Sequence, residues 1–299
     1  MFVIQYRKIW FALSGILLSL SILAMFVYGF NLSIDFKGGT ITEVRYEVER
    51  LEKALIESNI NNLNWGGFSV RPSESDRYII RTKELSPDEK ERLLEALGHP
   101  LSLLTIERQN TIGPVAGAEL QSKAMKAIAV VIVMIVLFVT FAFRHVSKQV
   151  ASWKYGLATI IALAHDVVIP TGIFVLFGRL LGVEIDLLFV TGLLAILGYS
   201  VHDTIVVFDR VRENLKINQE KNIIEEFDVT VGQSVNQTFA RSINTSLTIF
   251  ITLSALYLFG SATIQSFALL LIIGLIAGTY SSIFVASPLL VTFYKWQRK

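Results

Sequence analysis

The sequence predicts an α-helical polytopic membrane protein with six transmembrane helices and one α+β domain between the first and second helices. Its 299 residues are 53% hydrophobic and 17% charged, with a mean hydropathy of +0.55. Soluble domains usually carry about 25% charged residues, so this composition favours a membrane protein. The apolar residues are concentrated in six runs, and a more polar stretch, residues 31–121, separates the first run from the second.

The six apolar runs suit membrane spans, which need roughly 20 residues. The first run follows Arg7 and Lys8 and so resembles a signal peptide, but no small-x-small cleavage site follows it. We therefore expect a retained signal anchor. The fifth run is short, so its helix is expected to begin upstream, near Gln237–Ser242. The runs are Ile9–Phe30, Ala124–Phe143, Gly156–Phe177, Leu187–Phe208, Thr245–Phe259 and Ile264–Ser287.

The distribution of basic residues predicts the orientation in the membrane. With six spans, both termini lie on one side of the membrane. The termini and the two links on that side are rich in Lys and Arg, whereas the two short links on the other side contain one basic residue, Arg179. The positive-inside rule then makes both termini cytoplasmic. The predicted domains are a cytoplasmic N-terminus with the first span (1–30), an extracytoplasmic domain (31–121) and a five-helix bundle with a cytoplasmic C-terminus (122–299).

The extracytoplasmic domain has the element order βαββαβ. Alternating apolar residues predict a strand over 41–48, and a helical period follows over 51–60. Short strands are predicted at 68–70 and 78–80, separated by a polar turn that contains Pro72. Ser86–Glu89 forms a capping box with proline at the first helical position, and a last strand is expected over 101–108. This order is that of the ferredoxin-like split βαβ unit, a scaffold without a function of its own.

Composition and motifs exclude several classes of function. The net charge is only +2 and no Lys/Arg run occurs, which argues against nucleic-acid binding. Cysteine is absent, so disulfides, thiolate metal sites and cysteine nucleophiles are excluded. The sequence of residues 31–121 holds no His/Asp/Glu cluster, no Ser-His-Asp set and no phosphate-binding glycine loop. We expect no enzyme, cofactor or metal site, and we expect the lone His99 to be exposed.

Asp203 and Arg241 are the main candidates for chemistry, because each is an ionisable residue in or at an apolar run. A charge within the bilayer costs several kcal/mol unless it is paired or lines a wet path. Asp203 could alternate between a protonated state and an ionised state paired with Arg241, as proton coupling requires. The alternative is a static ion pair that holds two helices together. Asp209, six residues on, is expected at the cytoplasmic interface.

A second carboxylate, Asp166, lies near the middle of the third span beside His165. It should face the bundle and find a donor, either a Ser or Thr hydroxyl or His165 itself. Asp166 is either a member of a proton relay or a structural polar contact between helices. His165 is either a packing residue or, since imidazole titrates near neutrality, a relay residue.

Small residues in two spans predict close helix packing. They recur at Gly192, Ala195 and Gly198 in the fourth run, and at Gly274, Gly278 and Ser282 in the last. Faces of small residues let membrane helices approach closely in the absence of a hydrophobic drive. The alternative is a chance distribution of glycine in apolar helices.

The segment from Gly198 to Asn214, with Asp203 and Asp209-Arg210 inside it, closely resembles the fourth-span signature of the SecF members of the SecD/SecF family. Asp35–Gly39 resembles the Asp-Phe-x-Gly-Gly element of that family. Ala164–Val167 and Thr238–Ser242 also match it by pattern and place. The resemblance covers essentially the whole chain.

This resemblance implies a member of the RND-like superfamily in the bacterial cytoplasmic (inner) membrane. It implies SecD as the partner beside the SecYEG channel, unfolded secretory proteins as substrate, and late translocation and release driven by the proton or sodium motive force. Asp203 and Arg241 match the intramembrane pair linked to ion coupling. Asp35 with the flexible Gly38-Gly39 pair would transmit motion to the outer domain, or would form only a tight turn after a helix.

Two departures from the family pattern stand out. The cytoplasmic link Lys216–Gly232 is longer than expected, and His202 occupies a position where asparagine is expected, so that it could add a titrating neighbour to Asp203. Two other functions remain open. A small-molecule RND exporter subunit would usually carry two repeats and larger outer domains, and a purely structural membrane partner would use Asp203 and Arg241 only to set helix register.

Overall fold

The computed structural model describes residues 2–47, 51–73, 76–98, 104–144 and 151–297. The chain forms two compact units. The membrane unit comprises Met1–Asn31, Lys126–Val183 and Leu188–Lys299, and the outer unit comprises Leu32–Met125 together with Glu184–Leu187. The segment Glu184–Leu187 lies between the third and fourth spans, and the sequence did not predict that it belongs to the outer unit.

Six helical segments are long and apolar enough to cross a membrane, which confirms the predicted number of spans. A short helix α1 (Phe2–Gln5) precedes the first of them, α2 (Arg7–Tyr28). The next four are α6 (Pro114–Ala142), α7 (Ser152–Leu180), α8 (Leu187–Glu220) and α9 (Phe227–Phe259). The last joins α10 (Ala262–Ser281), a π-helical turn (Ser282–Ala286) and α11 (Ser287–Gln297).

The outer unit is a four-stranded antiparallel sheet covered by two helices. Its elements are α3 (Ile34–Lys37), β1 (Gly39–Tyr46), α4 (Lys53–Asn61), β2 (Ser69–Ser73), β3 (Arg77–Thr82), α5 (Pro87–Ala96) and β4 (Leu104–Ile112). The strand order across the sheet is β2-β3-β1-β4. The core includes Val44, Ile80, Ile56 and Leu93, all fully buried, as alternation in the strands and the helical period require.

Local signals in the outer unit have mixed outcomes. The capping box at Ser86 is confirmed: its hydroxyl accepts from the Glu89 N–H, and the Glu89 carboxylate accepts from the Ser86 N–H. The prediction for Pro72 was wrong, because this residue pairs with Tyr78 within β2. Strand β2 is at the sheet edge, where a missing N–H costs no ladder bond. His99 and the predicted strand residues Val48 and 101–103 lie outside the described residues.

The connection between the fourth and fifth spans is much shorter than predicted. Helix α8 continues to Glu220 and α9 begins at Phe227, so most of the expected link Lys216–Gly232 is helical. The upstream start of the fifth helix is confirmed, about ten residues earlier than expected. The start of α9 is polar, and for that reason the sequence did not predict a helix there. The Ser and Thr residues are nevertheless accommodated in the helix because their hydroxyls donate to its own backbone, as Ser234 does to the Thr230 carbonyl.

The membrane unit has an inner and an outer set of helices. In α7, α8 and the last span, half or more of the residues in the apolar part of the helix are buried. In α2, α6 and α9, 11% or less of these residues are buried. A cluster of stacked and edge-on rings, Phe143, Tyr155 and Phe208, lies in the core. The inner helices are those that carry Asp166 and Asp203, so both carboxylates lie where surrounding helices exclude lipid.

Candidate functional site

Asp166 lies in a hydrogen-bonded cluster at the centre of the membrane unit. Its side chain is fully buried on α7, and its Oδ2 accepts hydrogen bonds from the hydroxyls of Ser281, at 2.7 Å, and Ser200. His165 Nδ1 lies 2.9 Å from its Oδ1. Both predicted kinds of donor are therefore present. Because Ser200 is on α8 and Ser281 on α10, the carboxylate connects three helices.

His165 is itself buried and stacks on Tyr280, with ring centroids 5.6 Å apart. Among the described residues, its second ring nitrogen, Nε2, has no hydrogen-bond partner. With Nδ1 against a carboxylate, Nε2 is the ring nitrogen left for a second hydrogen bond. This geometry suits a relay residue, and its role stays a prediction.

Asp203 occupies a second carboxylate site, on α8. Its side chain is 6% exposed, and its Oδ1 accepts a 2.7 Å hydrogen bond from the Ser242 hydroxyl of α9. Its Oδ2 is buried and has no hydrogen-bond partner within the described ranges. Buried carboxylate oxygens normally have a partner. Asp203 departs from this rule at Oδ2.

The predicted ion pair between Asp203 and Arg241 is not present in this conformation. No ion pair within 4 Å joins them in the described part of the chain, and Arg241 is exposed on α9, although its charge still acts on Asp203 from a distance. The following residue, Ser242, takes the place opposite Asp203 because successive helical residues point about 100° apart. His202 is also exposed, although it adjoins Asp203 in sequence.

A row of hydroxyl groups extends between α8 and the last span. Thr204 and Ser282 lie 2.9 Å apart, and Ser282 also approaches the Ser200 carbonyl at 3.4 Å. Ser282 opens the π-helical turn, a distortion that is frequent at functional sites. The hydroxyls extend from Ser200, which contacts Asp166, to Thr204, the residue after Asp203. Sequence reasoning named Ser282 only as a packing position and assigned no role to Thr204, because an isolated hydroxyl residue leaves no periodic signal in an apolar span.

Most of the predicted packing glycines lie at close helix contacts. A Cβ atom on Gly192 would lie 2.8 Å from Leu270, and on Gly278 3.0 Å from Ser200, while on Gly274 it would overlap Ile196. The prediction for Gly198 was wrong, since that position is exposed with open space around it. Gly198 follows Gly192 by six residues, so the two point about 120° apart around the helix axis.

In the outer unit, the Asp35–Gly39 element ends α3 and turns into β1. Gly38 has φ of 77° and Gly39 has φ of 133°, a region that other residues rarely adopt. A Cβ atom on Gly39 would lie 2.5 Å from the Thr82 carbonyl oxygen. The two glycines are therefore required by their backbone angles and by close approach, and their role in transmitting motion stays a prediction.

Asp35 has a specific partner within the outer unit. Its carboxylate accepts a 3.0 Å hydrogen bond from the N–H of Leu187, the first residue of α8. A carboxylate at a helix N-terminus satisfies a free N–H and is favoured by the helix dipole. The same chain segment is held by Ser33, whose N–H donates to the Ile185 carbonyl at 2.9 Å.

Glu184 anchors this segment, Glu184–Leu187, by charge. Its carboxylate is 9% exposed and lies 2.7 Å from Arg81 Nε and 3.5 Å from Arg71 Nη2. Burial raises the pKa of Glu184 against the opposing effect of both guanidinium groups, and burial lowers the pKa of Arg81. Since desolvation outweighs attraction for both partners, these contacts position the segment more than they stabilise it.

Comparison with known proteins gives these features a family context. The family model described as "Protein export membrane protein SecD/SecF, C-terminal" matches residues 94–296, and that of the "SecD/SecF GG Motif" matches residues 23–48. Protein translocase subunit SecF of Thermobaculum terrenum is 38% identical, with 99% of this chain and 94% of that protein covered. Protein translocase subunit SecDF of Thermus thermophilus is 37% identical over 92% of this chain and 36% of that protein.

Solved structures agree with the sequence relatives. The crystal structure of the translocon-associated membrane protein SecDF from Thermus thermophilus matches with a TM-score of 0.82 and 33% identity, over 99% of this chain and 38% of that chain. SecDF in a super-membrane-facing form matches with a TM-score of 0.67, over 96% and 38%. The chain thus corresponds to nearly all of SecF and to about a third of SecDF, and it belongs to the SecD/SecF family of protein-export membrane proteins.

Proposed function

We propose that this subunit of the Sec protein-export pathway couples ion movement through its membrane unit to late translocation and release of secretory proteins. The observation that carries the proposal is the open position at Asp203, a buried carboxylate oxygen without a partner among the described residues. Ionisable groups at this depth are costly and are kept mainly where ions pass. The coupling ion is a proton or sodium, since a carboxylate can bind either.

Arg241 could reach Asp203 by a rotation of α9. Ser242 now donates to the carboxylate, and Arg241 precedes it by one residue. A rotation of about 100° would exchange the hydroxyl for the guanidinium. An ionised Asp203 would favour Arg241 opposite it, and a protonated Asp203 would favour Ser242. The predicted pair would then be one of two alternating states, with Asp166 and His165 as a relay beside it and His202 at the surface of the path.

The turn at Asp35, Gly38 and Gly39 would transmit this motion to the outer unit. Asp35 accepts from Leu187, where α8 begins, and the same helix carries Asp203. The glycine turn leads directly into β1, an inner strand of the sheet. A shift of α8 would therefore move the hydrogen-bonded start of the helix and, through the turn, the beginning of β1.

The remaining features of the proposal concern architecture and partners. The element order and the strand order β2-β3-β1-β4 support a ferredoxin-like fold for residues 31–121. The basic cytoplasmic segments support an inner-membrane location with both termini inside and the outer unit on the opposite face. Fusion in SecDF supports SecD as the partner, next to SecYEG and the moving secretory chain.

The test uses inverted membrane vesicles that contain the channel, the ATPase motor, this chain and its SecD partner. ATP first drives a secretory protein partway; ATP is then removed, and completion is followed under an imposed proton gradient. We expect wild type to complete translocation, uncoupler to prevent it, and Asp203→Asn to fail while still assembling. A sodium gradient applied separately identifies the ion.

Asp209→Asn is the matched control on the same helix. Asp209 is exposed and pairs with Arg212 at 2.6 Å, so its loss should leave coupling intact. If Asp203→Asn completes translocation at the wild-type rate, coupling through Asp203 is refuted and a structural role for the site gains support. The small-molecule exporter alternative predicts unchanged protein translocation but altered drug resistance.

A further inference from the structure

A cavity of about 550 Å³ opens where the N-terminal segment meets the end of the last span. Its charged lining residues are Arg7 and Lys8 from α2, Asp228 from α9 and Lys295 from α11. Ile4, Tyr6 and Ile9 supply apolar surface beside them. All of these residues belong to the membrane unit.

The cavity has an excess of positive charge. Its lining contains three cationic side chains and one carboxylate. Asp228 is already neutralised by Lys295, whose Nζ lies 2.5 Å from its Oδ2. Within the described ranges, the ion pairs include none formed by Arg7 or Lys8. Two cations therefore face the cavity without a counter-ion among the residues that the structure describes.

Several features place this cavity at the membrane surface. Helix α2 begins at Arg7, and the last candidate span ends at Trp296, immediately after Lys295. An aromatic cluster lies beside the opening, with the ring of Phe2 centred 5.1 Å from Tyr6 and 5.6 Å from Trp10. Aromatic residues of this kind are enriched at the level of lipid headgroups.

The start of α2 adds to the attraction for an anion. Tyr6 is the N-cap residue and offers no side-chain hydrogen bond to the first turn. The positive end of the helix dipole thus coincides with Arg7 and Lys8. Acidic residues are favoured at this place, but the first turn of α2 contains none.

We propose that this cavity binds the phosphate of an anionic phospholipid headgroup. Arg7 would hold two phosphate oxygens and Lys8 would supply a second charge, as arginine and lysine do in phosphate sites. Ile4 and Ile9 would contact the glycerol backbone and the upper acyl chain. The bound lipid would fix the N-terminal segment against α11, which gives this chain a preference for membranes rich in anionic lipid.

The test measures lipid binding by native mass spectrometry on the full chain, purified and delipidated in a neutral detergent. Phosphatidylglycerol, phosphatidylcholine and glycerol 3-phosphate are titrated separately. We expect saturable binding of phosphatidylglycerol, with phosphatidylcholine far weaker. Arg7→Gln and Lys8→Gln should each weaken phosphatidylglycerol binding about fivefold, since a basic residue at the membrane surface contributes about 1 kcal/mol.

Lys216→Gln provides a matched loss of charge outside the cavity. Lys216 is exposed on α8 and pairs only loosely with Glu220, at 3.8 Å. Equal binding of the two lipids, or equal weakening by Lys216→Gln and Arg7→Gln, would overturn the proposal. Glycerol 3-phosphate binding as tightly as phosphatidylglycerol would overturn the lipid source and point to a soluble phosphate compound. The melting temperature of each variant shows whether it is folded.

Discussion

Replacing Asp166 by alanine should destabilise the membrane unit by about 2 kcal/mol. The carboxylate accepts from Ser200 and Ser281 and contacts His165, so three hydrogen bonds are lost together. Side-chain hydrogen bonds inside membrane bundles average about 0.6 kcal/mol, well below the cost of an isolated polar group in hydrocarbon, because the unfolded chain in the bilayer also finds partners. Three bonds at that average give the expected loss.

The assay is thermal unfolding of the full chain in detergent, followed by tryptophan fluorescence. Asp166→Asn should fall between wild type and Asp166→Ala, since the amide keeps one acceptor oxygen and the serine hydroxyls can rotate to accept from its NH₂ group. Ser281→Ala alone should cost about 0.6 kcal/mol. In the Asp166→Ala background it should cost almost nothing, because the shared bond is already absent.

Two results would refute this reasoning. Asp166→Ala could melt at the wild-type temperature, which would mean that the cluster adds no stability. Alternatively, the losses of Asp166→Ala and Ser281→Ala could add in full, which would mean that the two side chains do not interact. Asp209→Ala serves as the control, because its exposed ion pair with Arg212 should contribute between about 0 and 1 kcal/mol.

Four further predictions concern other parts of the chain. Gly39→Ala should make the outer unit sensitive to limited proteolysis, because a Cβ atom there would lie 2.5 Å from a carbonyl oxygen of β3. Ser86→Ala should lower the stability of α5 by about 1 kcal/mol, measured by hydrogen exchange. The pKa of Glu89 is lowered to about 2, chiefly by its hydrogen bond with Lys83. The ionised carboxylate therefore stabilises the folded outer unit above pH 4.5, and this stabilisation is lost as the pH falls towards 2. In Glu89→Gln, the part of the loss of stability that falls in this pH range should be absent. Gly274→Val should reduce the yield of folded protein on size-exclusion chromatography, since its Cβ would overlap the side chain that faces it on α8.

The sequence was sufficient for features that depend on local pattern. Long apolar runs predicted the six spans. The alternation of apolar and polar residues, together with one capping box, predicted the order of elements in the outer unit. The positions of Asp166 and Asp203 inside the bundle also followed from sequence, because a carboxylate in an apolar run has few other places to go.

The contacts of these carboxylates depended on helix rotation, which sequence does not encode locally. Arg241 and Ser242 are adjacent, and only the rotation of α9 decides which of them faces Asp203. The segment from Glu184 to Leu187 likewise gave no signal, since its anchoring depends on arginines more than 100 residues earlier. The long start of α9 was hidden by hydroxyl residues that bond to their own backbone.

The length of α8 has a mechanical consequence. Its 34 residues form a rod about 51 Å long, which exceeds the hydrocarbon thickness of a bilayer, about 30 Å. A tilt of only about 5° would displace one end relative to the other by about 4 Å. Asp203 lies near the middle of this rod and Asp35 is bonded to its first residue. A tilt of about 5° centred on Asp203 would thus move the first residue of α8 by about 2 Å, which is a large part of the 3.0 Å length of its hydrogen bond with Asp35.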